Sequence, residues 1–285
     1  AHPDVLVIGL GAMGSATLLH VAATGANVIG VDQHSPPHPF GSSHGESRIT
    51  RQAVGEGAAF VPLVLRSHQL WRDLEAESDI RVLHECGGLI LARSGQASHM
   101  HAEPDFLGQT IALARQFGIA HEVWDATRIG ARFPQFSLQG DETGYFEPGA
   151  GYLNPEACIR TQLQIAARHG ARIHTQERVL SIRRQGQSTV VQTDRARYTP
   201  GTVIVTAGPW LPSLMPDAVR TRLRVQRQVL YWFSPGDGGG FSPATFPVFI
   251  WHWGNGPDDV FYGFPDLGGG VKVATEQTAK ETNPD

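Results

Sequence analysis

Residues 5–32 read "VLVIGLGAMGSATLLHVAATGANVIGVD", and few backbones accept that order. The run "VLVI", bounded by Asp4 and Gly9, has the length and continuous apolar character of a parallel strand buried on both faces. Apolar residues then recur at helical spacing until Gly25, a natural C-terminal cap, and "NVIGVD" reads as a second strand ending at Asp32. Gly9, Gly11 and Gly14 spell G-x-G-x-x-G at the strand-to-helix turn of this βαβ unit. Such glycines permit a tight turn and a close approach of backbone to pyrophosphate, the helix N-terminus adds partial positive charge, and Asp32 can accept hydrogen bonds from a ribose. A ligand-free glycine turn is the plain alternative. The complete unit favours a dinucleotide, without choosing between NAD and FAD.

The 285 residues exceed the usual single-domain size, so two domains are expected. After the first unit, "SPPHPFGSSHG" is too rich in proline, glycine and serine for regular structure, and "AFVPLVLRSHQLWRDLEAE" resumes a helical pattern. Arg48 and Arg51 lie between them, on a loop or at a helix start. Residues 83–148 change character, with a strand "GGLILA", a helix around "FLGQTIALARQFG" and Asp125 placed to cap a short helix. A helix then runs from Pro155 to Gly170, and "ARIHTQERVLSIRR", "STVVQTDRARYT" and "GTVIVTAGPW" read as strands. Beyond residue 218, "RVQRQVLYWFS", "FPVFIWHW", "VFYGFP" and "VKVAT" are β-rich and aromatic, as expected of a sheet that walls a pocket.

A formal net charge of −4 lacks the basic excess that nucleic acid or an anionic membrane would require, so neither partner is expected. No apolar run approaches a membrane span, and the N-terminus lacks the charged region of a signal peptide. Cys86 and Cys158 are too few for a disulfide framework, which suits a cytoplasmic protein. The thirteen histidines are scattered; His34, His38 and His44 gather in the glycine-rich loop without metal-ligand spacing, so no metal is expected.

The stretch "PPHPFGSSHGESRITRQAVGEGAAFVPLVLRSHQLW" resembles the corresponding segment of the monomeric sarcosine oxidase and N-methyltryptophan oxidase family, FAD-dependent amine oxidases. "GYLNPEACI", "VIVTAGPWLPSLMP" and "FYGFPDLGGGVKVATEQ" extend the likeness over nearly the whole chain. It implies an α/β architecture: a glutathione-reductase-like Rossmann FAD domain from residues 1–82 and 149–217, and a β-rich substrate domain from residues 83–148 and 218–285. Members of that family continue further, with a cysteine bonded to the flavin and a substrate-binding lysine. Residues 1–285 contain neither, so the sequence reads as a fragment, and covalent attachment of FAD stays open.

The resemblance also assigns roles. Arg51 matches an arginine that grips the substrate carboxylate, which a planar guanidinium does with two parallel hydrogen bonds. Arg48 matches an arginine beside the flavin ring, where fixed positive charge stabilises the reduced form. Lys272 matches a lysine near the flavin that promotes its reaction with O2, and Tyr262 a tyrosine near the substrate pocket. The plain alternatives are surface arginines, a lysine on an exposed strand face and a packing tyrosine. Ser42, Ser43 and His44 are expected beside the cofactor. Val179 matches a backbone contact to adenine, and Gly208 lets a turn pass close to the cofactor.

Two departures qualify the match. Glu276 stands where sarcosine-specific relatives have a histidine, and Trp251, His252 and Trp253 replace a more acidic stretch. Indoles there form either a cage for a larger or cationic substrate or part of the core. The expected reaction is FAD-dependent oxidation of a secondary, N-alkylated amino acid by a monomer, with hydrogen peroxide released. A related dehydrogenase with another electron acceptor and a non-catalytic flavin-binding protein remain as alternatives.

Overall fold

The computed structural model describes residues 1–95, 98, 100, 104–236, 239–254, 256, 258–276 and 280–285. In chain order the elements begin with β1 (Val5–Ile8), α1 (Ala12–Ala22), β2 (Val28–Val31), β3 (Arg48–Thr50) and α2 (Val61–Ser78). Next come β4 (Leu83–Glu85), β5 (Gly88–Arg93), α3 (Phe106–Phe117), β6 (Glu122–Asp125), α4 (Ala126–Arg132), β7 (Glu142–Glu147), β8 (Gly151–Leu153) and α5 (Pro155–Arg168). Then follow β9 (Arg172–His174), β10 (Val179–Gln185), β11 (Ser188–Thr193), β12 (Arg197–Tyr198), β13 (Thr202–Val205), α6 (Leu211–Leu214) and α7 (Asp217–Arg220). The last strands are β14 (Leu230–Phe233), β15 (Val248–His252), β16 (Val260–Asp266) and β17 (Val271–Ala274).

The first unit forms as its pattern dictates. β1 pairs parallel with β2 and with β13, and β9 completes a four-stranded sheet in the order β13-β1-β2-β9. Leu18, Leu19 and Ala22 of α1 pack against Ile159, Leu163 and Ala166 of α5 over one face of that sheet. Each fully buried leucine there contributes about 1.5–3 kcal/mol relative to exposure. Ser15 donates from its hydroxyl to the Gln162 Oε1 at 2.8 Å, a buried link between the two helices. Asn154 caps α5 by accepting from the Ala157 amide, Pro155 occupies the first turn, and Gly170 turns out at φ +90°.

A seven-stranded mixed sheet runs β14-β17-β16-β15-β5-β7-β6. An interior strand, β5, is buried on both faces: Ile90 and Ala92 meet Phe106, Leu113 and Ala114 of α3, while Leu89 and Leu91 meet Ile129 of α4 and Phe133. That alternation is the period of two expected of a strand between layers. Asp125 accepts from the Arg128 amide at 2.8 Å and so caps α4, as its position suggested.

Two expectations need correction. Of the two arginines expected on a loop or at a helix start, Arg51 does lie outside regular structure, but Arg48 opens β3, which pairs antiparallel with β8 in a three-stranded sheet. Nothing near Arg48 in sequence announces this, because its partner is Leu153. The single strand expected over "ARIHTQERVLSIRR" is two strands in different sheets, divided at Gln176, which has φ +55°. Among the described residues no helix is long and apolar enough to cross a membrane.

Candidate active site

A cleft of about 590 Å³ opens at the end of β1, β2 and β13 and is lined by Gly9, Gly11, Asp32, Ser42, Ser43, Val179 and Gly208, among others. Its position, beyond the carboxyl ends of parallel strands, is where open α/β sheets take their ligands. The glycines have distinct geometric reasons. A Cβ on Gly9 would lie 2.5 Å from the Thr206 carbonyl oxygen, and one on Gly14 only 1.8 Å from the Gly9 oxygen, so these two let α1 and the β13 crossover close on β1. Gly11 meets only the Ser43 Oγ, at 3.5 Å, which leaves the helix N-terminus accessible from the cleft. Gly208, at φ +51°, has nothing within 4 Å of where a Cβ would stand. This turn, with an open glycine at a helix N-terminus and an acid across it, fits a dinucleotide cofactor.

Asp32 is 7% exposed, and its carboxylate accepts from the Leu10 amide at 2.7 Å and the His34 amide at 2.8 Å. These bonds fix its plane at the cleft wall. His38 lies 3.8 Å from it, and burial holds the His38 imidazole below its ordinary pKa despite that carboxylate. Ser43 acts as an acceptor, taking the Ala12 amide at 3.2 Å and so capping the open end of α1 from the loop. Ser42 contributes its carbonyl, to the Arg48 guanidinium. Gly14 and His44 do not line the cleft.

A second group adjoins the loop. Lys272, 3% exposed, points its ammonium at the carbonyls of Gly45 and Ser47, both at 2.8 Å, and lies 3.9 Å from the Phe264 ring centroid. Burial, then the Arg48 charge, lowers its pKa to about 7, against the pull of Glu46 and Glu156. Arg48 donates to the Ser47 carbonyl as well as to Ser42. Burial lowers its pKa too, opposed by Glu156 and Tyr262. Burial raises the Tyr262 phenol, Glu276 adding to the rise and Arg48 opposing it. Arg48, Lys272, Tyr262 and Glu276 therefore share one electrostatic neighbourhood.

Arg51 stands apart from that group. It is 14% exposed, its Nη2 donates to both oxygens of Glu56 at 2.7 and 2.8 Å, and its guanidinium carbon lies 5.3 Å from the Phe106 ring centroid. Its buried Nε meets no partner among the described residues. Directly after it, the amides of Gln52 and Ala53 donate to Glu147, which is 1% exposed and also takes the Tyr145 hydroxyl at 2.8 Å. Burial raises the Glu147 carboxyl above the usual range, against those donors and the Arg51 charge.

The indoles do not form a cage. Trp251 packs against Phe136 and Phe261, whereas Trp253 is 54% exposed. Glu56, Glu147, Glu156 and Thr206 escaped the sequence reading. Of these only Glu156 carried a local signal, an acid in the first turn of a helix. Thr206 ties the crossover to the glycine turn, donating to the Gly9 carbonyl at 2.7 Å.

The family model described as FAD dependent oxidoreductase matches residues 4–285. A monomeric sarcosine oxidase from Streptomyces avermitilis is 38% identical over 277 residues, which is 95% of this chain and 69% of that protein. An N-methyl-L-tryptophan oxidase from Shigella dysenteriae is 34% identical over 272 residues, again 95% of this chain and 69% of its own length. The solved open form of NikD, an unusual amino acid oxidase essential for nikkomycin biosynthesis, superposes with a TM-score of 0.78 at 23% identity, covering 99% of this chain and 72% of that one.

Proposed function

The chain belongs to the FAD dependent oxidoreductase family, and from that premise we propose that it oxidises the C–N bond of a secondary, N-alkylated amino acid. The observation that carries this reading is the buried Lys272 with the half-buried Arg48 beside a cofactor cleft, and a further half-buried arginine, Arg51, three residues on. The names of the sarcosine and N-methyltryptophan oxidases support the substrate class. FAD would be held by Gly9, Gly11, Asp32, Ser42, Ser43, Val179 and Gly208, with Gly14 closing the glycine turn behind the cleft and His44 following Ser43 in the adjoining loop, and when bound supplies a two-electron acceptor that takes hydride from carbon and passes its electrons to O2 as H2O2.

The protein's own residues would do the rest. Arg51 exchanges the Glu56 carboxylate for that of the substrate, which anchors the amino acid by two charge-assisted hydrogen bonds. Arg48 keeps positive charge beside the cofactor site, and Lys272 offers a cation to the anion formed as dioxygen is first reduced. Tyr262 lines the substrate side, and the oxidised imine is released to water, which hydrolyses it to amine and aldehyde or keto acid. We assign residues 1–82 and 149–217 to the FAD domain and residues 83–148 and 218–285 to the substrate domain, in line with the separate four- and seven-stranded sheets. Free thiols at Cys86 and Cys158 fit the cytoplasm, and the relative's name favours a monomer.

The test is the visible spectrum of the purified protein before and after anaerobic addition of sarcosine or an N-methylated aromatic amino acid. Flavin bands that bleach, and return rapidly with air, are expected. Rapid bleaching with slow return assigns the electrons to an acceptor other than O2, and bands that no such amine bleaches overturn the reading. Arg51→Ala should raise KM about a hundredfold, the loss of two charge-assisted hydrogen bonds.

A further inference from the structure

We propose that Glu147 and Glu156 are positioning residues that clamp the two ends of the arginine segment, Glu156 setting Arg48 and Lys272 and Glu147 setting Arg51. This rests on the reading of those three cations given above.

The segment 45–53 contains only three residues of strand, β3. At each end two consecutive amides turn to a carboxylate. Gly45 and Glu46 donate to the Glu156 Oε1 at 2.7 and 3.3 Å; Gln52 and Ala53 donate to the Glu147 Oε1 and Oε2 at 2.7 and 3.1 Å. Both carboxylates belong to one short stretch. Glu147 ends β7, Glu156 lies in the first turn of α5, and between them β8 pairs with β3 as Arg48↔Leu153, Ile49↔Tyr152 and Thr50↔Gly151. Continuing that antiparallel register by three residues sets Gly45 opposite Glu156. The stretch 147–156 is thus a mould for 45–53, hydrogen-bonded backbone to backbone through the middle and amide to carboxyl oxygen at its ends.

The Glu156 end has further consequences. Gly45 and Glu46 have φ of +97° and +69°, so two successive residues are left-handed, a conformation that Glu46 does not favour by itself. Their convergent N–H groups form an anion-binding nest, and one carboxylate oxygen fills it. The same turn aims the Gly45 and Ser47 carbonyls at Lys272, and the Ser47 carbonyl also at Arg48. A single side chain therefore holds the scaffold on which both cations rest. At the other end Glu147 is fixed in turn by Tyr145, so the backbone just after Arg51 is anchored to β7, which lies between β5 and β6 in the seven-stranded sheet.

The experiment compares E147A, E147Q, E156A and E156Q in the full chain with FAD, alongside R51A and K272M. Amide hydrogen exchange reads the clamp without reference to turnover. E156A should speed exchange at Gly45 and Glu46 by about tenfold or more and leave Gln52 and Ala53 protected, and E147A should do the reverse. In kinetics E156A should slow reoxidation of the reduced enzyme by O2 about tenfold with KM unchanged, and E147A should raise KM about tenfold with reoxidation unchanged. E156Q keeps a carbonyl for both amides and should restore E156A to within about threefold, whereas E147Q has one carbonyl for amides bound by two different oxygens and should not rescue. If either alanine variant fails to fold, the contrast between the two glutamine variants carries the test.

Equal loosening of both amide pairs by either variant would overturn the proposal. So would a wild-type KM in E147A while R51A raises it, or undiminished reoxidation in E156A while K272M slows it. If R51A and K272M themselves change neither quantity, the reading of the cations fails, and the exchange pattern still decides whether the carboxylates hold the segment.

Discussion

Lys272 shows what burial does to one charge. Its ammonium is shut away at 3% exposure, held by two carbonyls and an aromatic face, and its pKa falls from 10.5 to about 7. The unfolded chain thus binds a proton that the folded one releases between about pH 7 and 10.5. The penalty for burying the cation is present in full below pH 7 and is relieved as pH rises through that window. Denaturant unfolding should accordingly show a stability term that grows from pH 7 upward and is missing in K272M. The reaction with oxygen should move the other way, since it uses the cation: its rate falls as pH passes 7 in the wild type and is low and flat in K272M. A wild-type rate that holds constant to pH 9 would remove Lys272 from that role. Neither the depth of burial nor the carbonyl partners could be read from "GGGVKVAT", because both partners lie in the loop of residues 45–47.

Two helix glycines separate propensity from packing. In an exposed helix, glycine to alanine stabilises by about 0.5–1 kcal/mol. Gly130 of α4 meets only a Leu138 methyl at 3.9 Å, so G130A should raise the melting temperature. Gly14 of α1 presses on the Gly9 oxygen and the Thr206 hydroxyl, and G14A should reverse the sign, lowering stability by about 1–3 kcal/mol, the usual cost of overpacking, and weakening FAD binding. A calorimetric scan of both variants checks the pair. Elements of this kind were legible because their signals are local: the glycines of α1, the cap Asp125, Pro155 and Gly170 at the two ends of α5, the apolar runs of β1, β5 and β15. β3, β4 and β8 were not, since none carries a strand pattern of its own. Each exists because of partners as distant as Arg48 and Leu153. The same blindness hid Glu147 and Glu156, whose importance lies in which amides they meet.

Across the molecule, the cofactor cleft draws its walls from segments as separate as Gly9, Asp32, Val179 and Gly208. A ligand that fits there binds only the folded state, so saturating FAD at about a hundred times its Kd should add about 2.7 kcal/mol of stability. Removing the flavin should lower the melting temperature by several degrees, and returning it should restore the difference; equal melting with and without FAD would mean that the cleft is not its site. The change of character at residue 83 was legible in composition, but composition alone did not join residues 88–147 with residues 230–274, which share one sheet; that grouping came from the family resemblance.

The parallel seam between β5 and β15 has a further consequence during synthesis. As the chain leaves the ribosome, β5 and β7 can zip together early, yet the other edge of β5 stays bare until residues 248–252 emerge, and β1 likewise lacks β13 until residues 202–205 are out. Two apolar strand edges thus travel unguarded through much of translation, so the nascent polypeptide's exposure to self-association, and its call on chaperones, is set by the order of its sheets.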